Sequence, residues 1–173
     1  MLAAIHKTAF YPYAPERVWG ALTDPRALAE WLMPNDFKPV VGHKFVFQVD
    51  PLPGFPNINE CEVLEVESPR RLVYSWMPGP KKAGDARPAP SIVSWVLAAE
   101  DGGTRLTLDH SGLTHTHAWY QRFMLSFCWG TIVKRLIPKC AANVGADGRF
   151  TPGVFPLEKR SYKCKTIPPH LVR

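Results

Sequence analysis

The sequence lacks the short motifs that mark most nucleotide-dependent and metal-dependent enzymes. It contains no glycine-rich phosphate loop, no dinucleotide fingerprint and no nucleophile motif. The four cysteines, Cys61, Cys128, Cys140 and Cys164, are widely spaced and include no CxxC pair, which argues against a zinc centre, a redox motif or a disulfide framework. We therefore expect reduced thiols, no cofactor, and cofactor-free chemistry if any reaction is catalysed.

Signals for export and membrane insertion are also missing. The segment Met1 to Thr8 lacks the charged start, apolar run and cleavage site of a secretory signal. No window approaches the ~20 apolar residues that span a bilayer, because charged residues interrupt the most apolar stretch, Ala118 to Ile137. These absences predict a cytoplasmic protein with no membrane partner.

The composition fits one globular domain with a basic end. A chain of 173 residues with 46% hydrophobic and 21% charged residues can bury a core of its own. The formal net charge is +6, but no nucleic-acid motif accompanies it. We interpret the basic residues of the last segment as a solvated tail and predict no nucleic-acid partner. These residues are Lys159, Arg160, Lys163, Lys165 and Arg173.

Apolar periodicity predicts the order of the elements. A β-branched and aromatic run from Ile5 to Tyr11 predicts the first strand. Two short helices follow: one starts at Ala14-Pro15, and the other has Asp24 as N-cap and Pro25 in its first turn. Alternation then predicts five more strands. They contain Phe45 and Phe47, Cys61 to Glu67, Leu72 to Met77, Val93 to Leu97, and Leu106 to His110.

Helical spacing returns at Ala118 and continues to Ile137, with Trp119, Phe123 and Phe127 on a broad aromatic face. Such a face must be covered, and the concave face of the strands is the surface able to cover it. The predicted fold class is therefore α+β. It is a helix-grip fold, in which a curved antiparallel six-stranded sheet wraps around a long C-terminal helix and two short helices follow strand 1.

The predicted helix-grip domain covers residues 1–144, and a Pro/Gly-rich basic C-terminal extension covers residues 145–173. Pro138 should kink or end the long helix. The extension carries apolar residues, Val154, Phe155, Leu157, Tyr162 and Ile167, so we expect it to pack across the domain or onto a second copy. A homodimer through the extension is accordingly one predicted partner.

Several segments, in this order, carry a family resemblance. They are Ala14 to Pro25 (APERVWGALTDP), Trp31, Ser68 to Trp76 (SPRRLVYSW), Val93 to Leu97, Gly103 to Gly112, and Trp129 followed by Leu136. Together they resemble the START-like superfamily, also called Bet v allergen-like or SRPBCC. They are most similar to its bacterial heat-shock protein 90 ATPase activator homologue-like family. The resemblance implies the helix-grip fold and an apolar small molecule held between sheet and helix.

Alternation places a set of mostly aromatic side chains where sheet and helix face each other. We predict that they line a cavity for an apolar ligand, aromatic or acyl. A core filled by the same side chains is the alternative. The predicted ligand-binding residues are Phe45, Phe47, Tyr74, Trp76, Trp95, Leu108, His110, Phe123 and Phe127.

Two other functions stay open. One is a cofactor-independent enzyme of the cyclase, dehydratase or hydrolase type that uses His110 as acid/base, although a histidine satisfied by its neighbours is the competing interpretation. The other is a protein-interaction module related to chaperone ATPase activators.

Three histidines, His110, His115 and His117, are close in sequence, but no cysteine or carboxylate completes a recognisable first shell around them, so we predict no metal site.

Glu60 and Glu62 should point outward if Cys61 and Val63 point in. No residue is therefore assigned a catalytic role.

Overall fold

Six strands form one antiparallel sheet, and helices cover its concave face. The computed structural model describes residues 3–51, 57–79, 89–113, 119–153 and 168–171. The strands are β1 (Ala3–Tyr11), β2 (Lys44–Gln48), β3 (Ile58–Glu67), β4 (Arg71–Pro78), β5 (Ser91–Glu100) and β6 (Gly103–Leu113). Their order in the sheet is β1-β6-β5-β4-β3-β2, so β1 and β2 are the edges. The helices are α1 (Pro15–Thr23), α2 (Pro25–Trp31), α3 (Trp119–Thr131) and α4 (Ile137–Ala142), with a π-helical segment (Ile132–Leu136) between α3 and α4. This confirms the α+β helix-grip prediction.

The two short helices form a corner that the sequence specifies closely. The Asp24 carboxylate accepts a hydrogen bond from the backbone N–H of Arg26 at 2.8 Å, and Pro25 occupies the first turn of α2. At the other end of α2, the buried Trp31 indole donates to the carbonyl of Ala21 in α1 at 2.8 Å. This bond holds the two helices together over the sheet.

Alternation over the first part of β3, from Ile58 to Val63, decides which of its side chains enter the core. Cys61 and Val63 are buried, whereas Glu60 and Glu62 lie on the opposite, partly exposed face. The prediction that these carboxylates point outward is confirmed.

Pro138 changes the hydrogen-bond register of the long helix without ending it. In the π-helical segment the backbone N–H of Ile137 reaches the carbonyl of Ile132, five residues back. Proline has no N–H and clashes with the carbonyl four residues earlier, so a wider turn accommodates it. The helix then continues as α4 to Ala142.

The wider turn leaves one carbonyl to be satisfied from outside the helix. In this register the N–H of residue 138 would meet the carbonyl of Val133, but Pro138 cannot donate. The hydroxyl of Tyr11, at the end of β1, donates to that carbonyl instead. Burial raises the pKa of Tyr11 well above its ordinary value, so the hydroxyl remains a donor.

The first part of the C-terminal extension packs on the domain. Phe150 is buried and bridges to Val144, and the backbone N–H of Gly153 donates to the Glu30 carboxylate at 2.8 Å. Leu171 is also buried. The apolar residues on which the packing prediction was based, Val154, Phe155, Leu157, Tyr162 and Ile167, lie outside the described residues. The domain boundary at residue 144 stays a prediction.

The contact between Tyr11 and the π-helical segment can be tested by a double-mutant cycle. Tyr11→Phe leaves the buried Val133 carbonyl without its donor, so we expect the free energy of unfolding to fall by about 1–3 kcal/mol in urea titrations. Pro138→Ala restores an N–H to the helix. Tyr11→Phe should therefore cost less in that background. If Tyr11→Phe lowers the free energy of unfolding equally in the wild type and in Pro138→Ala, Tyr11 does not replace the missing donor.

Candidate functional site

The space between sheet and helices is filled by a continuous cluster of aromatic rings. Trp31 contacts Trp95 at a centroid distance of 5.9 Å, and Trp95 contacts Trp129 of α3 at 5.6 Å. Trp129 lies 6.1 Å from Trp76, which stacks on Phe47 at 5.3 Å. These distances are those of rings in direct contact. The chain's own side chains therefore occupy the position at which the sequence predicts a cavity.

A directed chain of hydrogen bonds crosses this cluster. The indole N–H of Trp129 donates to Nδ1 of His110 at 3.0 Å, and Nε2 of His110 lies 2.8 Å from Oγ of Ser91. The Ser91 hydroxyl donates to the backbone carbonyl of Trp76 at 3.0 Å. Because an indole only donates, Nδ1 must accept, and the ring hydrogen must be on Nε2. The network thus assigns His110 as the neutral Nε2–H tautomer.

These contacts determine what His110 can do. The ring is fully buried, its lone pair is directed at Trp129 and its N–H at Ser91. A general base needs that lone pair within reach of a substrate proton. The geometry therefore favours a structural histidine, which ties the long helix to β5 and β6, over the acid/base role.

The nine predicted ligand residues separate into two groups. Seven are buried in the core: Phe45, Phe47, Tyr74, Trp76, Trp95, Leu108 and His110. The hydroxyl of Tyr74 accepts a hydrogen bond from the Trp95 indole at 3.1 Å, and burial raises its pKa well above the ordinary value. The other two, Phe123 and Phe127, are 65% and 64% exposed.

The expectation that Phe123 and Phe127 share an interior with the sheet residues is wrong. The helix turns Trp129, Val133 and Ile137 inward, and all three are buried. Successive helical residues are ~100° apart, so Phe127, two positions before Trp129, points to nearly the opposite side. The helix is apolar on so many sides that spacing alone did not identify the inward one.

Phe123 and Phe127 instead line an open cleft between β1 and the long helix, with a volume of about 440 Å³. Lys7 reaches it from β1, where it shares the inward face with Ile5 and Tyr11. The full lining is Lys7, Phe123, Ser126, Phe127, Gly130, Thr131, Lys134 and Arg135. Sequence reasoning missed Lys7, Lys134 and Arg135, because no pattern showed that β1 would face this part of the helix.

The cleft combines an aromatic wall with positive charge. Lys7, Lys134 and Arg135 contribute amines and a guanidinium, and the described residues that line the cleft include no carboxylate. A second pocket, of about 130 Å³ beside Ile58 and Glu60, is smaller. Small-molecule sites commonly measure ~300–1,000 Å³, so the larger cleft is the candidate site.

The described part of the chain shows neither a metal site nor a membrane span. Its histidines, cysteines and carboxylates form no group of three that could hold a metal ion, while His115 and His117 lie outside it. Its helices are all too short or too polar to cross a membrane. Cys61 and Cys128 are free thiols, Cys140 is buried, and Cys164 is outside the described residues.

Most of the chain matches a known protein family. The family model described as activator of Hsp90 ATPase homolog 1-like protein matches residues 12–137. The chain belongs to this family. The match runs from the end of β1 into α4 and confirms the resemblance found in the sequence. Membership of the activator of Hsp90 ATPase homolog 1-like family supports a ligand-binding or related role.

Solved structures show the same fold. Protein MLL2253 from Mesorhizobium loti is 32% identical, with 78% of this chain and 94% of that chain covered and a TM-score of 0.63. Protein BH1534 from Bacillus halodurans is 28% identical, with 79% and 95% covered and a TM-score of 0.60. The Aha1 dimer from Colwellia psychrerythraea, at 16% identity, shares the fold over 76% and 90% of the chains with a TM-score of 0.59. No curated protein shows significant sequence similarity to the chain.

The structural role of His110 predicts a clear effect at Ser91. Ser91→Ala removes the acceptor of the His110 N–H and the donor to the Trp76 carbonyl, so the free energy of unfolding should fall by about 1–3 kcal/mol. Ser111→Ala, at an exposed position of β6, is the control and should stay within ~0.5 kcal/mol of wild type. Nitrogen-15 NMR of the wild-type ring should show one protonated and one bare nitrogen. The structural role of His110 would be refuted if its ring were cationic at neutral pH, or if Ser91→Ala and Ser111→Ala lowered the free energy of unfolding equally.

Proposed function

We propose that the protein binds an apolar small molecule, aromatic or acyl, in the cleft between β1 and the long helix. One observation supports this most directly. Phe123 and Phe127, four residues apart and therefore neighbours on the helix surface, present largely exposed rings to a concave space of about 440 Å³. Contiguous exposed apolar surface in a folded domain commonly marks a binding site.

The cleft suits this role better than the interior does. A ligand between Trp76, Trp95 and Trp129 would have to separate rings that are already in contact. Close-packed interiors resist such displacement. A ligand in the cleft would not have to separate packed rings of the described core.

The expected affinity is modest. A ligand that buries about 400 Å² of apolar surface gains roughly 10 kcal/mol at 25 cal/mol per Å². Association costs at least ~4 kcal/mol in lost freedom. The remaining ~6 kcal/mol corresponds to a Kd in the range of tens of micromolar.

The lining also favours binding over catalysis. It offers hydroxyl groups from Ser126 and Thr131 and the three cations, but neither a histidine nor a carboxylate from the described residues. A general base able to accept a proton near neutral pH is therefore missing from this set.

The proposal is tested with the neutral fluorescent probe N-phenyl-1-naphthylamine. We expect a saturable fluorescence increase on binding, and Phe127→Ala should weaken the affinity about tenfold, because losing one ring contact costs ~1.5 kcal/mol. The fold should survive, since the Phe127 side chain is mostly exposed.

Phe10→Ala provides the matched control, because Phe10 is an exposed phenylalanine of β1 outside the cleft. It should leave probe affinity unchanged. If the probe does not bind, or if Phe10→Ala and Phe127→Ala weaken it equally, the cleft is not the site.

A further inference from the structure

The cleft carries positive charge at both of its sides. Lys134 and Arg135 belong to the π-helical segment, whereas Lys7 comes from β1. Lys7 is partly buried, and its Cε lies 3.9 Å from the position a Cβ would take at Gly130. The stem of Lys7 thus lies beside the helix at Gly130, between helix and strand.

Aromatic and cationic groups follow one stripe of the helix. The steps from Phe123 to Phe127, to Gly130 and to Lys134 are four, three and four residues, which is the spacing of one helix face. The stripe therefore presents two aromatic rings, then a gap, then an amine. A molecule lying along it would meet an apolar surface at one end and positive charge at the other.

The positive charge has no protein counter-charge within the described residues. None of Lys7, Lys134 and Arg135 forms an ion pair with another described side chain. The carboxylate of Asp109, on the neighbouring strand β6, is held by His6 at 2.7 Å on the other face of the sheet. An acidic group on a ligand would supply the missing charge.

We propose that the ligand is an amphipathic anion, with an aromatic or acyl body on Phe123 and Phe127 and an acidic group, such as a carboxylate, near Lys7 and Lys134. This inference rests on the proposed function and narrows its ligand class. The concave shape and the lysine inside the cleft favour a free small molecule over a membrane surface. A flat bilayer would engage a protruding patch.

The experiment compares two probes that differ by one charged group. N-Phenyl-1-naphthylamine is neutral, and 1-anilinonaphthalene-8-sulfonate is the same ring system with a sulfonate. We expect the sulfonate to bind at least tenfold tighter, because it can form charge-assisted contacts with the amines that the neutral probe cannot form. This advantage should shrink as salt is raised.

Substitutions locate the charge that is responsible. Lys7→Gln and Lys134→Gln should each reduce the ratio of the two affinities about fivefold or more. Lys44→Gln removes an exposed lysine from β2, at the opposite edge of the sheet, and should leave the ratio unchanged. Dodecanoate should displace the sulfonate probe, and methyl dodecanoate should do so at least tenfold less well.

The possible failures are distinguishable. If neither probe binds, the proposed function itself is wrong. If both bind equally and Phe127→Ala weakens both, the cleft binds apolar molecules and only the anionic preference is overturned.

Two other occupants of the cleft would also overturn the proposal. A second copy of the chain is the occupant if the protein sediments as a dimer, Phe127→Ala dissociates that dimer, and dodecanoate does not bind. Phe127-dependent binding to phosphatidylglycerol vesicles that dodecanoate does not inhibit would identify a membrane surface, and either result overturns the proposal.

Discussion

The hydrogen-bond chain from Trp129 through His110 and Ser91 to Trp76 is the interaction on which the rest of the structure depends. It joins the long helix to three strands inside an otherwise apolar core, where an unpaired polar group would cost several kcal/mol. Because each donor meets one acceptor, the chain also selects a single rotation of the helix. Once Trp129 faces His110, the inward stripe must continue through Val133 and Ile137.

With the helix in that rotation, the candidate binding surface lies at the edge of the sheet and not between sheet and helix. The aromatic rings of the sheet contact one another and Trp129, whereas Phe123 and Phe127 face outward. A helix-grip protein with a hollow interior would bind its ligand between sheet and helix. Here sheet and helix pack directly against each other, and the exposed aromatic rings Phe123 and Phe127 line the gap between the helix and β1 instead.

Much of this fold could be predicted because its local signals agree with its tertiary contacts. Asp24 and Pro25 start a helix by themselves, and alternation on β3 alone places Cys61 and Val63 inward. The rotation of the long helix was not predictable in this way, because aromatic residues lie on both sides of it. The hydrogen bond from Trp129 to His110 shows which side of the helix faces inward. His110 is 19 residues away in the sequence and lies on another element.

The candidate site was out of reach of sequence reasoning for a related reason. Lys7 and the π-helical segment are far apart in sequence. Tyr11 helps to bring β1 and this segment together, because its hydroxyl donates to the carbonyl that Pro138 leaves without a donor. Tyr11 and Lys7 share one face of β1, separated by Ala9. The bond that compensates for the proline therefore also helps to hold the strand that carries Lys7 against the segment that carries Lys134. A helix without Pro138 would need no such bond, and β1 would lose this polar contact with the helix.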